Sequence, residues 1–337
     1  MLEAGYRSAV VLGAGSWGTA LASLLAERGV EVQLWGRDAV LVEEIRATRR
    51  NARYLPMLDL NEGIEIVSSM EALRLADVAF WVTPSRHLHE MAAAFAQTEC
   101  GKAIRVAVSC SKGIEMDSGR RMSELLSQEF PGVRCAVLTG PNHAEEVALR
   151  MATAAVVGCA EIEVARGLQQ MLTLPWFRSY TTDDVCGAEW GGALKNPYAI
   201  AAGIAKGLDL GDNAIAALVT RALAEMVRFG TAMGGRAETF YGLSGVGDLM
   251  TTCFSEHSRN HRVGVALGRG ESLEAIQGRT TMVAEGVPNT ASLFQVARQT
   301  GARTPILDEV HAVLYAGKAP AKAMRDLLGR DPRPEAD

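Results

Sequence analysis

The sequence predicts an α/β protein in two parts, a parallel sheet followed by a mainly α-helical region. Three observations carry this. Short apolar runs alternate with amphipathic stretches from Ala9 to Val157. A glycine-rich turn, Gly13 to Gly18, joins the first apolar run to the first helical stretch. Beyond Asp183 to Gly187 the apolar residues keep helical spacing and strand signals fade. The chain has 337 residues, too long for one ordinary core and suited to two. The boundary is expected at residue 184, with a dinucleotide-binding domain over 1–184 and a helical substrate and catalytic domain over 185–337.

Element by element, Ala9 to Leu12 reads as a buried strand and Thr19 to Arg28 as a helix stopped by Gly29. Val30 to Trp35 alternates like a second strand. Further strands are expected at Ile64 to Val67, Val78 to Thr83, Ile104 to Ser109, Cys135 to Leu138 and Ala152 to Val157. Helical stretches separate several of them, which gives the βαβ rhythm of a parallel sheet. Val185 to Gly203, Ala214 to Met233, Ser292 to Gln299 and Asp308 to Tyr315 read as helices. The tail from Arg330 is polar and proline-rich, and is expected to fray.

Composition excludes several classes. Hydrophobic residues make up 48% and charged residues 22%, the balance of a folded chain. The net charge of −5 argues against nucleic acid as a partner but not against a small anionic ligand. Six scattered cysteines without a C-x-x-C pair read as reduced thiols. The first residues lack a signal-peptide pattern and no apolar run has membrane-span length, so a cytoplasmic protein without stable membrane insertion is expected.

Gly13-Ala14-Gly15-Ser16-Trp17-Gly18 is a G-x-G-x-x-G between a strand and a helix, the context in which it binds a dinucleotide. Gly13 permits the tight turn, Gly15 lets a pyrophosphate approach, and Gly18 lets the helix pack on the strand. A structural βα turn without ligand is the competing reading, and the context disfavours it. This is a Rossmann-type start. At the end of the second strand stands Trp35-Gly36-Arg37-Asp38, with arginine rather than an acidic residue in the discriminating place. Arg37 suits a 2′-phosphate and leans towards NADP over NAD; it reads also as a surface charge. Asp38 suits a helix cap.

Hydride transfer from an alcohol needs a proton acceptor, and a buried lysine with a lowered pKa serves. Lys195 is the candidate, in Gly191-Gly192-Ala193-Leu194-Lys195-Asn196-Pro197. Pro197 should free the carbonyl of Ala193 from its helical bond. On helix physics alone, a lysine snorkelling from an amphipathic helix is the better reading. Ser109-Cys110-Ser111-Lys112-Gly113 and Thr139-Gly140-Pro141-Asn142-His143-Ala144 each follow a strand, where open α/β sheets bind ligands. Gly242 to Asp248 brings a carboxylate out of a glycine-rich turn, and Ser258-Arg259-Asn260 offers a phosphate clamp. Each of these also reads singly as a loop charge, turn or cap. His257 and His261 lack a third ligand, so no metal is expected.

As a set, these segments resemble the bacterial and plastid-type NAD(P)-dependent glycerol-3-phosphate dehydrogenases. Gly13 to Ala20, Leu34 to Asp38, Ser111 to Glu115, Gly140 to Glu146, Gly192 to Asn196, Gly211 to Ala214, Gly245 to Leu249, Ser258 to Asn260 and Glu285-Gly286 stand in the family's order over nearly the whole chain. The resemblance implies that Lys195 is the general acid/base. It implies that Lys112, Gly140, Asn142, Lys195, Asp248, Ser258, Arg259 and Asn260 contact glycerol phosphate. Gly13, Gly15, Ser16, Trp17, Gly18, Arg37, Lys112, Ala144, Arg259, Val283 and Glu285 would hold the cofactor, NADP or NAD. It also implies a homodimer and a role in supplying glycerol 3-phosphate for phospholipid synthesis. Asn142 stands where Ser or Thr is frequent, Ala222 where Gly is frequent, and Pro197 where an aliphatic residue is common. Competing readings are a related two-domain β-hydroxy acid or ketopantoate dehydrogenase, and a non-catalytic NADP-binding sensor.

Overall fold

The computed structural model describes residues 5–116, 118–279, 284–330 and 334. The strands are β1 (Ser8–Leu12), β2 (Glu31–Trp35), β3 (Arg50–Asn51), β4 (Leu55–Asp59), β5 (Glu65–Val67), β6 (Val78–Trp81), β7 (Val106–Ser109), β8 (Arg134–Thr139), β9 (Thr153–Cys159) and β10 (Phe177–Thr182). Among them run α1 (Ser16–Glu27), α2 (Ala39–Thr48), α3 (Ser85–Ala96), α4 (Glu99–Ala103), α5 (Met122–Glu129), α6 (Ala144–Ala148) and α7 (Ile162–Leu172). Thereafter the chain is helical: α8 (Val185–Gly207), α9 (Asp212–Ala232), α10 (Ala237–Phe240), a π-helical turn (Leu243–Gly247), α11 (Asp248–Phe254), α12 (Arg259–Gly268), α13 (Leu273–Gly278), α14 (Gly286–Thr300), α15 (Pro305–Tyr315) and α16 (Pro320–Leu328).

Eight strands form one sheet in the order β10-β9-β8-β7-β6-β1-β2-β5. The strand order reverses at β1, which pairs in parallel with β2 on one side and β6 on the other. Ligands bind at the carboxyl ends of strands at such a switch point. Ala9 to Leu12 is wholly buried because helices cover both faces, which is why the run is continuously apolar rather than alternating. Val11, Phe80 and Leu138 pack under α1 and its neighbours. Trp81, Phe95 and Phe130 form an aromatic cluster on the opposite face.

Four differences from the sequence reading have physical causes. First, α1 begins at Ser16, because Gly18 lies inside the helix with the Gly13 carbonyl against it. Second, β8 and β9 pair antiparallel, so the sheet is mostly rather than wholly parallel; only the short helix α6 connects them, and a parallel crossover needs a longer one. Third, β10 went unread because its residues look polar; it is an edge strand with alternating exposure. Fourth, the hairpin β3–β4 carries no strand periodicity, and Asn51 anchors it by donating to the Ala14 carbonyl at 2.9 Å.

In the helical half, α8 is buried on every side from Gly187 to Ala205. Asp184 caps it, accepting from Gly187 N at 2.8 Å. The helix continues past Gly203 because that glycine marks a crossing, not an end. A Cβ on Gly203 would lie 2.2 Å from the His261 carbonyl, and one on Gly264 would lie 2.1 Å from the Ile200 carbonyl. Two glycine faces therefore let α8 and α12 touch backbone to backbone. Among the described residues, no helix is long and apolar enough to cross a membrane.

Candidate active site

The cleft opens where the glycine turn meets the helical half, and its volume is about 540 Å³. The three glycines of the turn face different surroundings. Gly13 has φ +129°, and a Cβ there would meet the Val82 carbonyl at 2.5 Å. Around Gly15 nothing lies within 4 Å of a Cβ, so the space a pyrophosphate needs is open. A Cβ on Gly18 would lie 1.8 Å from the Gly13 carbonyl. The helix behind them offers its first N–H groups towards the cleft. Trp17 Nε1, Thr83 Oγ1, Asn142 Nδ2 and His143 Nε2 are buried cleft-side atoms without a hydrogen-bond partner among the described residues. Open glycine backbone beside orphaned polar atoms fits a dinucleotide and a polar substrate.

At the end of β2, Arg37 is exposed and lines the cleft. The Asp38 carboxylate is occupied elsewhere: it accepts from Val40 N and Leu41 N as the cap of α2 and pairs with Arg53 at 3.1 Å. Asp38 lines the cleft beside Arg37 with its carboxylate already holding these three donors.

The floor is a buried charge cluster built from both halves. Lys195 Nζ donates to Asp248 Oδ1 at 2.5 Å and to Thr252 Oγ1 at 2.7 Å. Lys112 Nζ donates to the Gly140 carbonyl and to Asn142 Oδ1, each at 2.8 Å, and pairs with Asp248 Oδ2 at 2.9 Å. An ammonium has three donors. Among the described residues each lysine hydrogen-bonds to two acceptors; the third contact of Lys112 is its ion pair with Asp248 Oδ2, and Lys195, which lines the cleft, keeps a donor for a ligand. Burial lowers the Lys195 pKa to about 8, with Lys112 adding to the effect and Asp248 opposing it. Burial pushes Asp248 upward, but the two lysines outweigh it and hold the carboxyl below its ordinary range. His143 is driven down to about 4 by burial and by Lys195 and Lys112, so its ring is neutral.

Pro197 explains one further feature. The Ala193 carbonyl, deprived of its helical donor, accepts from Asn289 Nδ2 at 2.8 Å. One turn along, Asn196 Nδ2 donates to the Lys112 carbonyl at 2.8 Å, Asn260 Nδ2 donates to Asn196 Oδ1 at 2.9 Å, and Gly286 N donates to Asn260 Oδ1 at 2.9 Å. This relay ties the Lys112 loop, α8, α12 and α14 together. Ser258 caps α12, accepting from His261 N at 3.2 Å. Burial lowers the Arg259 pKa, with Glu145 and Glu285 opposing. Glu285, raised by burial, accepts from Ser85 Oγ at 2.8 Å.

Of the residues singled out in the sequence, Gly13, Gly15, Ser16, Trp17, Arg37, Lys112, Asn142, Ala144, Lys195, Ser258, Arg259, Asn260 and Glu285 line this one cleft. Gly18 sits behind the turn, Gly140 and Asp248 lie beneath the lysines, and Val283 falls outside the described residues. Sequence reasoning missed Thr252, Asn51 and Asn289. Thr252 carried a signal: it stands four residues after Asp248, on one face of α11. Asn51 and Asn289 carried none, since a lone asparagine reads as a turn or a surface residue. Among the described residues no three His, Cys, Asp or Glu side chains converge as a metal site.

A sheet with a glycine turn at its switch point, facing a lysine on a buried helix, defines the two-part dinucleotide-dependent dehydrogenases. Comparison with known proteins narrows this. Family models for the N-terminus and the C-terminus of NAD-dependent glycerol-3-phosphate dehydrogenase match residues 8–165 and 184–325. Glycerol-3-phosphate dehydrogenase [NAD(P)+] of Geobacter sulfurreducens is 45% identical over 332 residues, covering 96% of this chain and 98% of that one. The crystal structure of glycerol-3-phosphate dehydrogenase from Coxiella burnetii is 36% identical and superposes with a TM-score of 0.92, covering 96% of this chain and 99% of that one. A ketopantoate reductase from Ralstonia eutropha, 18% identical with a TM-score of 0.61 over 94% of this chain and 99% of that one, shares the fold alone. The chain belongs to the NAD-dependent glycerol-3-phosphate dehydrogenase family.

Proposed function

We propose that this protein interconverts sn-glycerol 3-phosphate and dihydroxyacetone phosphate with NADP or NAD, and that Lys195 is its general acid/base. The observation that carries the reading is the floor of the cleft: the two ammonium groups face opposite oxygens of buried Asp248, and Lys195, which donates to Asp248 and Thr252, lines the cleft with a donor left for a substrate oxygen. A nicotinamide cofactor held at the Gly13 to Gly18 turn would supply hydride in reduction and take it up in oxidation. In reduction, Lys195 as an ammonium polarises the C2 ketone and gives up its proton as the alkoxide forms. In oxidation, the neutral amine accepts the hydroxyl proton. Asp248 and Thr252 fix the direction of the Lys195 ammonium, which keeps its third N–H aimed at the cleft.

The remaining roles follow from place. Ser258, Arg259 and Asn260 open α12 beside the cleft, where helix N–H groups and a guanidinium suit a phosphate. Gly140, Asn142 and Lys112 position the substrate from the sheet side. Gly13, Gly15, Ser16, Trp17, Gly18, Ala144, Val283 and Glu285 serve the cofactor. Arg37, with the Asp38 carboxylate occupied, supports a preference for NADPH. Residues 1–184 form the dinucleotide-binding domain and 185–337 the substrate and catalytic domain. The enzyme works in the cytoplasm as a homodimer, supplying glycerol 3-phosphate for glycerophospholipid synthesis.

The test is the absorbance decay of NADPH, and separately NADH, after adding dihydroxyacetone phosphate to purified protein. Rapid decay, faster with NADPH, is the expected result. No decay with either cofactor, in folded protein that binds NADPH, overturns the assignment; decay with ketopantoate instead would replace it.

A further inference from the structure

The segment between β7 and α5 carries Lys112 out of the sheet and lays it along α8. It is held at two places on one face of that helix. At the near place, Asn196 Nδ2 donates to the Lys112 carbonyl at 2.8 Å. At the far place, the buried carboxylate of Glu189 collects three donors: Ser123 N to Oε1 at 2.8 Å, Ser123 Oγ to Oε2 at 2.5 Å, and Arg121 Nη1 to Oε2 at 3.0 Å. Glu189 and Asn196 are seven residues apart, two helical turns, or about 10.5 Å along the axis. Between them lies Gly192, where a Cβ would lie 3.6 Å from Lys112 Cγ and 3.1 Å from Thr139 Oγ1. The segment returns on itself through a bridge between Ile114 and Arg121, and Ile114 is buried in the helical core with Leu194 and Tyr198. The geometry is therefore that of a strip on α8 against which the Lys112 segment is keyed at both ends.

We propose that Glu189 is a positioning residue. It fixes the β7–α5 segment in register with α8, and so sets the Lys112 ammonium on Asp248 opposite Lys195. A buried carboxylate with three donors, one from Arg121 at the end of the segment and two from Ser123 in the first turn of α5, has one low-energy arrangement, and losing it releases the far anchor while Asn196 alone keeps the near one. A sub-ångström drift of Lys112 then loosens Asp248, which both lysines share. The inference rests on reading Lys112, Asp248 and Lys195 as the reacting cluster.

The experiment compares the parent enzyme with Glu189→Gln, Ser123→Ala and the double variant, in steady-state reduction of dihydroxyacetone phosphate over a pH series. It also follows NADPH fluorescence titration and thermal unfolding. An inactive parent enzyme would sink the functional assignment itself. With an active parent, Glu189→Gln is expected to lower kcat by about 10- to 100-fold, the cost of small misplacement at a reacting centre, and to shift the alkaline limb of the pH–rate profile. NADPH affinity should stay within about twofold, and the double variant should be no worse than Glu189→Gln, because both changes cut the same tie. A lowered unfolding midpoint with parental kcat and parental pH limb would show a merely structural tie and overturn the proposal, as would additive losses in the double variant. Should Glu189→Gln not fold, Ser123→Ala decides alone. It leaves the carboxylate two donors, and is expected to lower kcat several-fold with an unchanged NADPH affinity; a parental kcat would overturn the proposal.

Discussion

Lys195 is a cation held in a buried site by one carboxylate that it shares with a second cation. Burial is what brings its pKa to about 8, with Asp248 opposing the fall and Lys112 adding to it. Two outcomes follow at this scale. Replacing Lys195 with Ala should lower kcat by roughly 10²- to 10⁴-fold, the span of general acid–base contributions, while fluorescence titration returns a nearly unchanged NADPH dissociation constant; near-normal turnover would remove Lys195 from its role. The pH dependence has opposite signs in the two directions. Reduction needs the ammonium, so its rate should fall as pH rises through about 8, whereas oxidation needs the free amine and should rise through the same value. A matched pair of pH–rate series checks both, and parallel profiles would assign the limb to another group. The sequence exposed Lys195 only through its family pattern. Its neighbours in the chain, Leu194 and Asn196, do not mark it, so what distinguishes it from a snorkelling lysine is burial from all sides.

Among the elements, α8 and α12 do most to position the site, because one carries Lys195 and Asn196 and the other opens with Arg259 and Asn260. Their crossing leaves no room for a methyl group. Gly264→Ala would put a Cβ 2.1 Å from the Ile200 carbonyl, and the helices must part. The expected loss is about 1–3 kcal/mol, as for other overpacked sites, seen as a lower unfolding midpoint; an unchanged midpoint would mean that the crossing is looser than its geometry. A second element carries a pH signature. Glu225 on α9 accepts from Ile306 N at 2.9 Å and Leu307 N at 3.0 Å, at the start of α15. Burial pushes its pKa up to about 7, against those two bonds and Arg228, while Asp308 adds to the rise. Tyr198 of α8 also faces it. A carboxyl whose pKa is raised on folding binds its proton more tightly in the folded state, so stability falls as pH rises from its unfolded value of about 4.3 through 7. Unfolding midpoints of the parent and Glu225→Gln should therefore run with the same slope below about pH 4 and above about pH 7, with the variant flatter in between. Equal slopes throughout would exclude Glu225 as the source.

Across the whole molecule, the cleft takes residues from the sheet and from the helical half, so a ligand filling it binds only the assembled fold. NADPH at about 100 times its dissociation constant should stabilise by about 2.7 kcal/mol, raising the unfolding midpoint; no rise at saturation would place the nucleotide elsewhere. The sequence by itself determined the glycine turn, most of the strands, the change to helical spacing after Asp183 and the consequence of Pro197, because each depends on neighbours a few residues away. β10 and the β3–β4 hairpin escaped it, since edge exposure and a buried Asn51 leave no apolar periodicity. Only the tertiary structure decided how the polar residues pair. Lys195 meets Asp248 across 53 positions, Lys112 meets Asn196 across 84, and Glu189 meets Ser123 across 66. Such pairings depend on how far each helix is rotated about its axis and where two glycine faces let helices cross. Local spacing shows which residues share a face, but packing alone decides what that face meets.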